Sequence, residues 1–327
     1  MYQVAIIGCG SIAQVHAKVL SGLQGVQLAA CADIRPERAR AMADSYGLRA
    51  FDDWEKMLDA MRPDAVHLCT PHYLHPLMAE RAAQRGIAVF TEKPPAIDRA
   101  GWQKVREAAE KAPVGICFQN RYHPAFRELL RARDTGEYGA LRGIRAFVTW
   151  NRPAGYYTSS DWKGTWEREG GGALINQAIH TLDLITCILG APDTVEATMA
   201  RHRLKGVIQV EDTAEVMLLK GGVPALLYAS NDYGTDAPVI LECAFEKAAL
   251  RFEGDTLSII TDGQRTDHAF RTDEALGRSY WGACHKACIA DFYRSVREGT
   301  PFMNAPDGCD DTMRTLLSVY ERAGRSF

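Results

Sequence analysis

Gln3-Val4-Ala5-Ile6-Ile7-Gly8-Cys9-Gly10-Ser11-Ile12-Ala13 is the stretch on which the fold turns. Its first five residues form an apolar run fit for a strand buried on both faces, as in a parallel sheet. Gly8-x-Gly10-x-x-Ala13 follows, and a helical pattern runs on to about Leu20. Gly8 permits the tight turn, Gly10 lets backbone approach a pyrophosphate, and Ala13 lets helix pack on strand. Ser11 and Ile12 fall inside this turn and count with the cofactor contacts. The next strand, Gln27 to Ala32, ends in Asp33, 20 residues beyond Ala13. A carboxylate there belongs on the ribose hydroxyls of a dinucleotide. It repels a 2′-phosphate, so NAD is expected and NADP is the lesser choice. Ile34 and Arg35 complete this end of the cofactor site, and Arg35 softens the repulsion.

Outward from this unit, strand and helix keep alternating. Helical patterns run over 36–46, 54–58, 75–85 and 99–111, and strands over 49–51, 65–69, 87–90 and 114–118. Such repetition predicts a parallel sheet with helices on both faces. Ligands bind such sheets beyond the carboxyl ends of the strands. Gly8, Thr70-Pro71 and Glu92-Lys93 fall there. His72 and His75 sit at a helix start, where capping and cofactor contact both stand ahead of catalysis. After about Asn120 the rhythm changes. A helix (124–133), a long strand (141–150) and a loop rich in aromatics and glycine (151–172) lead to a second helical stretch. Six strand-like segments between 194 and 261 suggest a mostly antiparallel sheet, and helices at 281–298 and 307–323 close the chain. The expected architecture is an α/β Rossmann domain over 1–119 and an α+β domain over 120–327. The latter carries a large, mostly antiparallel open sheet, and the closing helices are free to return to the first domain.

The second helical stretch begins Gly170-Gly171-Gly172-Ala173-Leu174-Ile175-Asn176-Gln177-Ala178-Ile179-His180 and continues through Asp183. Three glycines let backbone come close to something. Asn176 and His180, four apart, share one helix face, with Asp183 three further on. A helix start after glycines also offers N–H groups to an oxygen-rich ligand. Alone, the stretch reads equally as a buried helix whose His and Asn are hydrogen-bonded.

Composition narrows the partners. The 327 residues suit two domains. A net charge of −3 gives no basic footprint for nucleic acid. No apolar run reaches the ~20 residues needed to span a bilayer. The first residues run straight into a strand without a signal-peptide pattern. Nine cysteines are scattered without a framework. Together these favour a reducing cytoplasm. Cys284-His285-Lys286-Ala287-Cys288 lacks a second ligand pair and reads as structural, so no metal is expected.

Gly8-x-Gly10-x-x-Ala13, Thr70-Pro71, Glu92-Lys93-Pro94, Asn120-Arg121 and the glycine triplet through His180-x-x-Asp183 occur in that order. The chain thereby resembles the Gfo/Idh/MocA (glucose–fructose oxidoreductase / inositol dehydrogenase) family over essentially its whole length. The resemblance implies NAD(P)-dependent oxidation or reduction of a carbon in a sugar, cyclitol or sugar derivative. It also implies a homodimer or homotetramer built on the open sheet, and places Lys93 and His180 at the reacting carbon. The family often has Asp where this chain has Asn176, which leaves His180 as the acid/base.

Alcohol oxidation needs a hydride acceptor, a base and a stabiliser for the developing alkoxide. His180 titrates near working pH and suits the base. Lys93 suits the electrostatic role. Asn176 would orient a neighbouring hydroxyl. Asp183 either holds the His180 tautomer or is a structural helix residue. Arg121 and Tyr122 are candidates for lining the substrate cleft. Trp162, with Tyr156, Tyr157, Lys163 and Trp166, either stacks on a sugar ring or pins its own loop. An X-Pro bond admits cis at low cost, so Lys93-Pro94 is a candidate for a cis peptide that aims the lysine. Two other functions share these features. One is an NAD-dependent glycosidase, revealed by sugar release without net cofactor reduction. The other is a non-catalytic dinucleotide sensor, disfavoured because both Lys93 and His180 are present.

Overall fold

The computed structural model describes residues 1–272 and 284–325. Residues 281–283, where the sequence starts the first closing helix, lie outside the described residues. The chain divides into two compact units. One comprises Met1–Gln119 with the described part of Asp273–Cys309; the other comprises Asn120–Thr272 and the chain from Asp310 onward.

In the first unit, β1 (Tyr2–Ile7), β2 (Val26–Ala32), β3 (Arg49–Phe51), β4 (Ala65–Leu68), β5 (Ala88–Thr91) and β6 (Val114–Ile116) form one sheet. Their order is β3-β2-β1-β4-β5-β6, and every neighbouring pair is parallel. The crossovers carry α1 (Ser11–Ser21), α2 (Pro36–Tyr46), α3 (Trp54–Met61), α4 (His75–Ala83) and α5 (Arg99–Ala109). Helices on both faces explain why Val4–Ile7 and Ala65–Leu68 are buried without alternation. The strand order reverses between β1 and β4, the point where ligands bind such sheets. Gly8 and the Thr70 loop follow those two strands.

The second unit begins with α6 (Pro124–Thr135) and β7 (Leu141–Thr149). Inside the aromatic loop lies a short helix, α7 (Ala154–Thr158), which the sequence reading leaves as loop. The glycine-led stretch starts with a π-helical turn, Ala173–Ala178, before α8 (Ile179–Leu189). Next come β8 (Thr194–Ala200), β9 (Thr213–Lys220), β10 (Val223–Ser230), β11 (Ile240–Phe245), β12 (Ala249–Glu253), β13 (Thr256–Thr261) and β14 (Gln264–Ala269). The eight strands lie in the order β14-β13-β12-β11-β7-β10-β9-β8, antiparallel except for β7 and β10. Ala214, Val216 and Leu218 point inward from β9, whereas Met217 and Leu219 are 42% and 39% exposed on the other face. β14 is exposed along its whole length, so it has no apolar alternation to betray it.

The chain then provides α9 (His285–Glu298) to the first unit and α10 (Pro306–Arg322) at its end. Phe292 of α9 packs on the first sheet, its ring 5.2 Å from that of Phe90. A Cβ on Gly115 would lie 2.7 Å from the same ring, so β6 needs glycine there.

Candidate active site

The first unit builds a cradle of backbone and glycine at the ends of β1 and β4. Gly8 has φ +89°, and an added Cβ would sit 2.5 Å from the Cys69 carbonyl oxygen. Glycine is therefore required twice over, by backbone conformation and by the end of β4. Gly10 is different: among the described residues an added Cβ would meet no atom within 4 Å. Nothing in the protein demands glycine at position 10, which fits close backbone approach by a phosphate. Ser11 and Ile12 open α1, whose first turn holds no acidic residue. Asp33 is held by two backbone donors, Cys9 N–H to Oδ2 at 2.7 Å and Arg35 N–H to Oδ1 at 2.8 Å. The carboxylate is thus fixed beside the glycine turn. Ile34, next to it, is 81% exposed.

The loops after β4 and β5 are braced together. His75, buried at the start of α4, places one ring nitrogen 2.8 Å from the Thr70 carbonyl and the other 2.8 Å from the Pro94 carbonyl. Burial lowers its pKa; the neutral ring has a single N–H, so it donates to one of these two carbonyls and lies against the other, filling the space between the Thr70-Pro71 and Lys93-Pro94 turns. The Lys93-Pro94 peptide is cis. From Ile87 to Ile97, Lys93 alone is not buried.

Beneath Lys93 lies a polar chain that the sequence reading misses. Glu92 Oε2 accepts the Lys93 backbone N–H at 3.3 Å, and Glu92 Oε1 meets His16 Nε2 at 2.9 Å. His16 Nδ1 lies 2.7 Å from His67 Nδ1, and His67 Nε2 lies 2.9 Å from the Tyr293 hydroxyl. Burial would raise Glu92, yet the hydrogen bond and charge of His16 hold it well below the usual carboxylate range. Burial also pushes His67 down, keeping it neutral beside His16. His16, Glu92 and Cys117 bring potential ligand atoms within 4.8 Å of one another. Two of the three are already joined by the hydrogen bond just described. These histidines come from a helix and a strand that read as ordinary apolar patterns; no local signal marks them.

In the second unit each glycine of the triplet has its own reason. Gly170 has φ +89°. A Cβ on Gly171 would fall 2.0 Å from the buried Tyr320 hydroxyl, and one on Gly172 would fall 1.8 Å from the Glu211 carbonyl oxygen. The close approach is to the protein itself. The N–H groups at this helix start are taken in the same way. Glu211 Oε1 accepts from Gly172 and Leu174 at 2.9 and 3.1 Å. The Glu211 carbonyl accepts from Ala173 at 3.1 Å, and the Tyr320 hydroxyl from Ile175 at 3.2 Å. This corrects the expectation of an open helix start offered to a ligand. The end is buried, so its donors must be satisfied internally, and Glu211 caps it from 39 residues away.

From Ala173 to Thr186 only Asn176 and His180 are not buried. They share the face that the four-residue spacing implies, although the turn carrying Asn176 is π-helical. Asn176 Nδ2 donates to Glu169 Oε1 at 2.5 Å. Glu169 is fully buried and also accepts the Gly164 N–H. Burial raises its pKa to about 7, with Glu211 adding to the rise. Arg121 and Asp183, expected as substrate contacts, are paired with each other. Arg121 Nε meets Asp183 Oδ2 at 2.8 Å and Nη2 meets Oδ1 at 2.5 Å. Thr312 donates to the same carboxylate at 2.7 Å. Buried charges need such partners, and these contacts are those of the structural reading of Asp183. Tyr122 is buried under the Arg127 guanidinium. Trp162 is half-buried, with the Lys163 ammonium 5.8 Å from its ring and 3.6 Å from that of Tyr156. Arg152 is buried and bonded to Asp236.

Comparison with known proteins bears on both units. Residues 2–119 match the model of the oxidoreductase family with NAD-binding Rossmann fold. Residues 126–251 match the GFO/IDH/MocA C-terminal domain. The chain belongs to the Gfo/Idh/MocA family. Its NAD-binding Rossmann domain lies within residues 2–119. The chain is similar to inositol 2-dehydrogenase of Rhizobium meliloti, at 34% identity over 60% of this chain and 57% of that protein. It is also similar to D-glucoside 3-dehydrogenase of Escherichia coli, at 35% over 58% and 54%. The matched stretches thus span little more than half of these relatives. The WlbA dehydrogenase of Bordetella pertussis, solved with NADH and UDP-GlcNAcA, superposes with a TM-score of 0.85 at 25% identity, covering 98% of this chain and 96% of that one. Among the described residues, no helix is long and apolar enough to cross a membrane.

Proposed function

We propose that this Gfo/Idh/MocA protein is an NAD-dependent oxidoreductase acting on a CH–OH carbon of a sugar, cyclitol or sugar derivative. The observation that carries the reading is a pattern of exposure. In two deeply buried stretches beyond the cradle, 87–97 and 173–186, the residues left unburied are Lys93 in one and Asn176 with His180 in the other. Those are the residues that the family resemblance assigns to the reacting carbon. The names of the similar proteins supply the substrate class.

The bound nicotinamide supplies a hydride acceptor. Gly8, Gly10, Ser11, Ile12 and Ala13 receive the pyrophosphate end. Asp33 accepts from the ribose hydroxyls and disfavours a 2′-phosphate, with Ile34 and Arg35 beside it. Thr70, Pro71, His75 and Glu92 shape the turn that carries Lys93. His180 takes the hydroxyl proton, its reference pKa lying near neutrality. Lys93 stabilises the developing alkoxide by charge. Asn176 holds a neighbouring hydroxyl, and Trp162 and Tyr122 support the substrate-facing loops. The outward Met217 and Leu219 support a homodimer or homotetramer through the open sheet. Light scattering that gives a monomer mass at micromolar protein would exclude this. The reading is tested by titrating NADH and NADPH by fluorescence, where tighter NADPH binding removes the NAD assignment.

A further inference from the structure

Asn176 and Gln177 are side-by-side amides, and Glu169 sets which way Asn176 faces. Gln177 Oε1 accepts from Asn231 Nδ2 at 2.9 Å, and Gln177 Nε2 lies 3.3 Å from the Tyr156 hydroxyl. Asn176 Nδ2 lies 2.5 Å from Glu169 Oε1 and 3.5 Å from the same hydroxyl. An ionised carboxylate only accepts, so it determines the amide's orientation. Glu169 is itself immobilised, with no exposed surface and its second oxygen on the Gly164 N–H. Nitrogen toward Glu169 means oxygen on the opposite side of the amide.

We propose that Glu169 is a positioning residue that holds the Asn176 amide so that its Oδ1 is presented to substrate as a neutral acceptor for a sugar or cyclitol hydroxyl. This rests on the reading of Asn176 as a substrate contact. A site built to accept from a hydroxyl rejects a ligand that lacks the hydrogen at that position. The arrangement also depends on charge. When Glu169 is protonated it becomes a donor, the amide can turn over, and the group offered to substrate becomes N–H₂. Lys163 and the Gly164 N–H favour the ionised form, while burial and Glu211 oppose it, giving a pKa of about 7. Tyr156 and Tyr157 are the other titratable groups of this loop near the carboxylate.

Two measurements on the full chain test this. The first follows the Asn176 side-chain amide by nitrogen-15 NMR, assigned through Asn176→Asp, from well below to well above neutrality. The proposal expects one titration near neutral pH that disappears in Glu169→Gln. A flat amide signal in the wild-type protein, or a titration that survives Glu169→Gln, overturns it. The wild-type half of this experiment needs no variant to fold. The second uses NAD⁺ with myo-inositol, methyl β-D-glucoside, D-apiose and levoglucosan, taking the compound that turns over fastest. Glu169→Gln should raise its KM about tenfold, the worth of one good hydrogen bond, with a smaller change in kcat. Asn176→Ala should raise KM at least as much. If Asn176→Ala leaves KM unchanged, the substrate-contact reading falls and takes the proposal with it. If Asn176→Ala raises KM and Glu169→Gln does not, the positioning role alone falls. If none of the four compounds turns over, the functional reading is what fails, and the amide titration still decides the orientation.

Discussion

Gly10→Ala should separate cofactor binding from folding. The added Cβ meets no atom of the described residues within 4 Å, so no clash with them arises in the free protein. Gly10 is the N-cap of α1 and makes no side-chain cap. Replacing it by Ala therefore costs about 0.5–1 kcal/mol of stability. Binding is another matter if the backbone at 10 lies against a pyrophosphate. A methyl inserted into a close contact costs about 1–3 kcal/mol, or about 5- to 150-fold in NADH affinity. Gly8→Ala is the contrast. Its φ of +89° costs an alanine ~1–2 kcal/mol. The 2.5 Å approach to the Cys69 carbonyl adds ~1–3 kcal/mol. The sum, about 2–5 kcal/mol, lowers Tm by about 4–20 °C for a unit of this size. Thermal melts paired with fluorescence titration of NADH read both quantities. If Gly10→Ala binds NADH as tightly as wild type, the cradle is not where the cofactor's phosphates lie. If it melts many degrees lower, the added methyl clashes with the protein itself.

Three further outcomes are expected. His180→Ala should lower turnover by about 10²–10⁴-fold while sparing NADH binding, and Lys93→Met should also lower turnover; near-wild-type turnover in the first with a dead second reverses the two roles. Gly172→Ala drives a methyl to 1.8 Å from the Glu211 carbonyl and disturbs a buried carboxylate that accepts three hydrogen bonds, so it should cost more than ~3 kcal/mol and show as poor soluble yield. Glu169 is raised from 4.5 to about 7 on folding, so the folded state holds an extra proton between those values, and stability is lost as pH rises through about 7, by about 3 kcal/mol in all; Glu169→Gln should therefore gain in Tm relative to wild type between mildly acidic and mildly alkaline buffer, and a constant difference contradicts the shift.

The first unit was legible because its signals are local. Buried parallel strands write continuous apolar runs such as Val4–Ile7, and the glycine turn and Asp33 keep a fixed spacing. The second unit was legible where β9 and β10 alternate and opaque at β14, which is exposed throughout. The glycine triplet was recognised as a close approach, but its partners Tyr320 and Glu211 lie far along the chain. No periodicity reports such tertiary contacts, so in sequence an internally capped helix start looks the same as an open one. Glu169 had no signal either. It sits beside a glycine run in a loop, where a surface carboxylate is the default expectation. Only its depth and its bond to Asn176 distinguish it. Arg121 and Asp183 show the converse. Their residue types suggest a substrate site, and burial makes them an ion pair.

The most direct test of the central claim is the absorbance of reduced nicotinamide when the purified chain is given NAD⁺ and the four polyols named above. The expected result is substrate-dependent NADH formation with at least one of them, lowered in Lys93→Met. Release of free sugar from an aryl glycoside without net NADH, or no reduction with any of them, would contradict it.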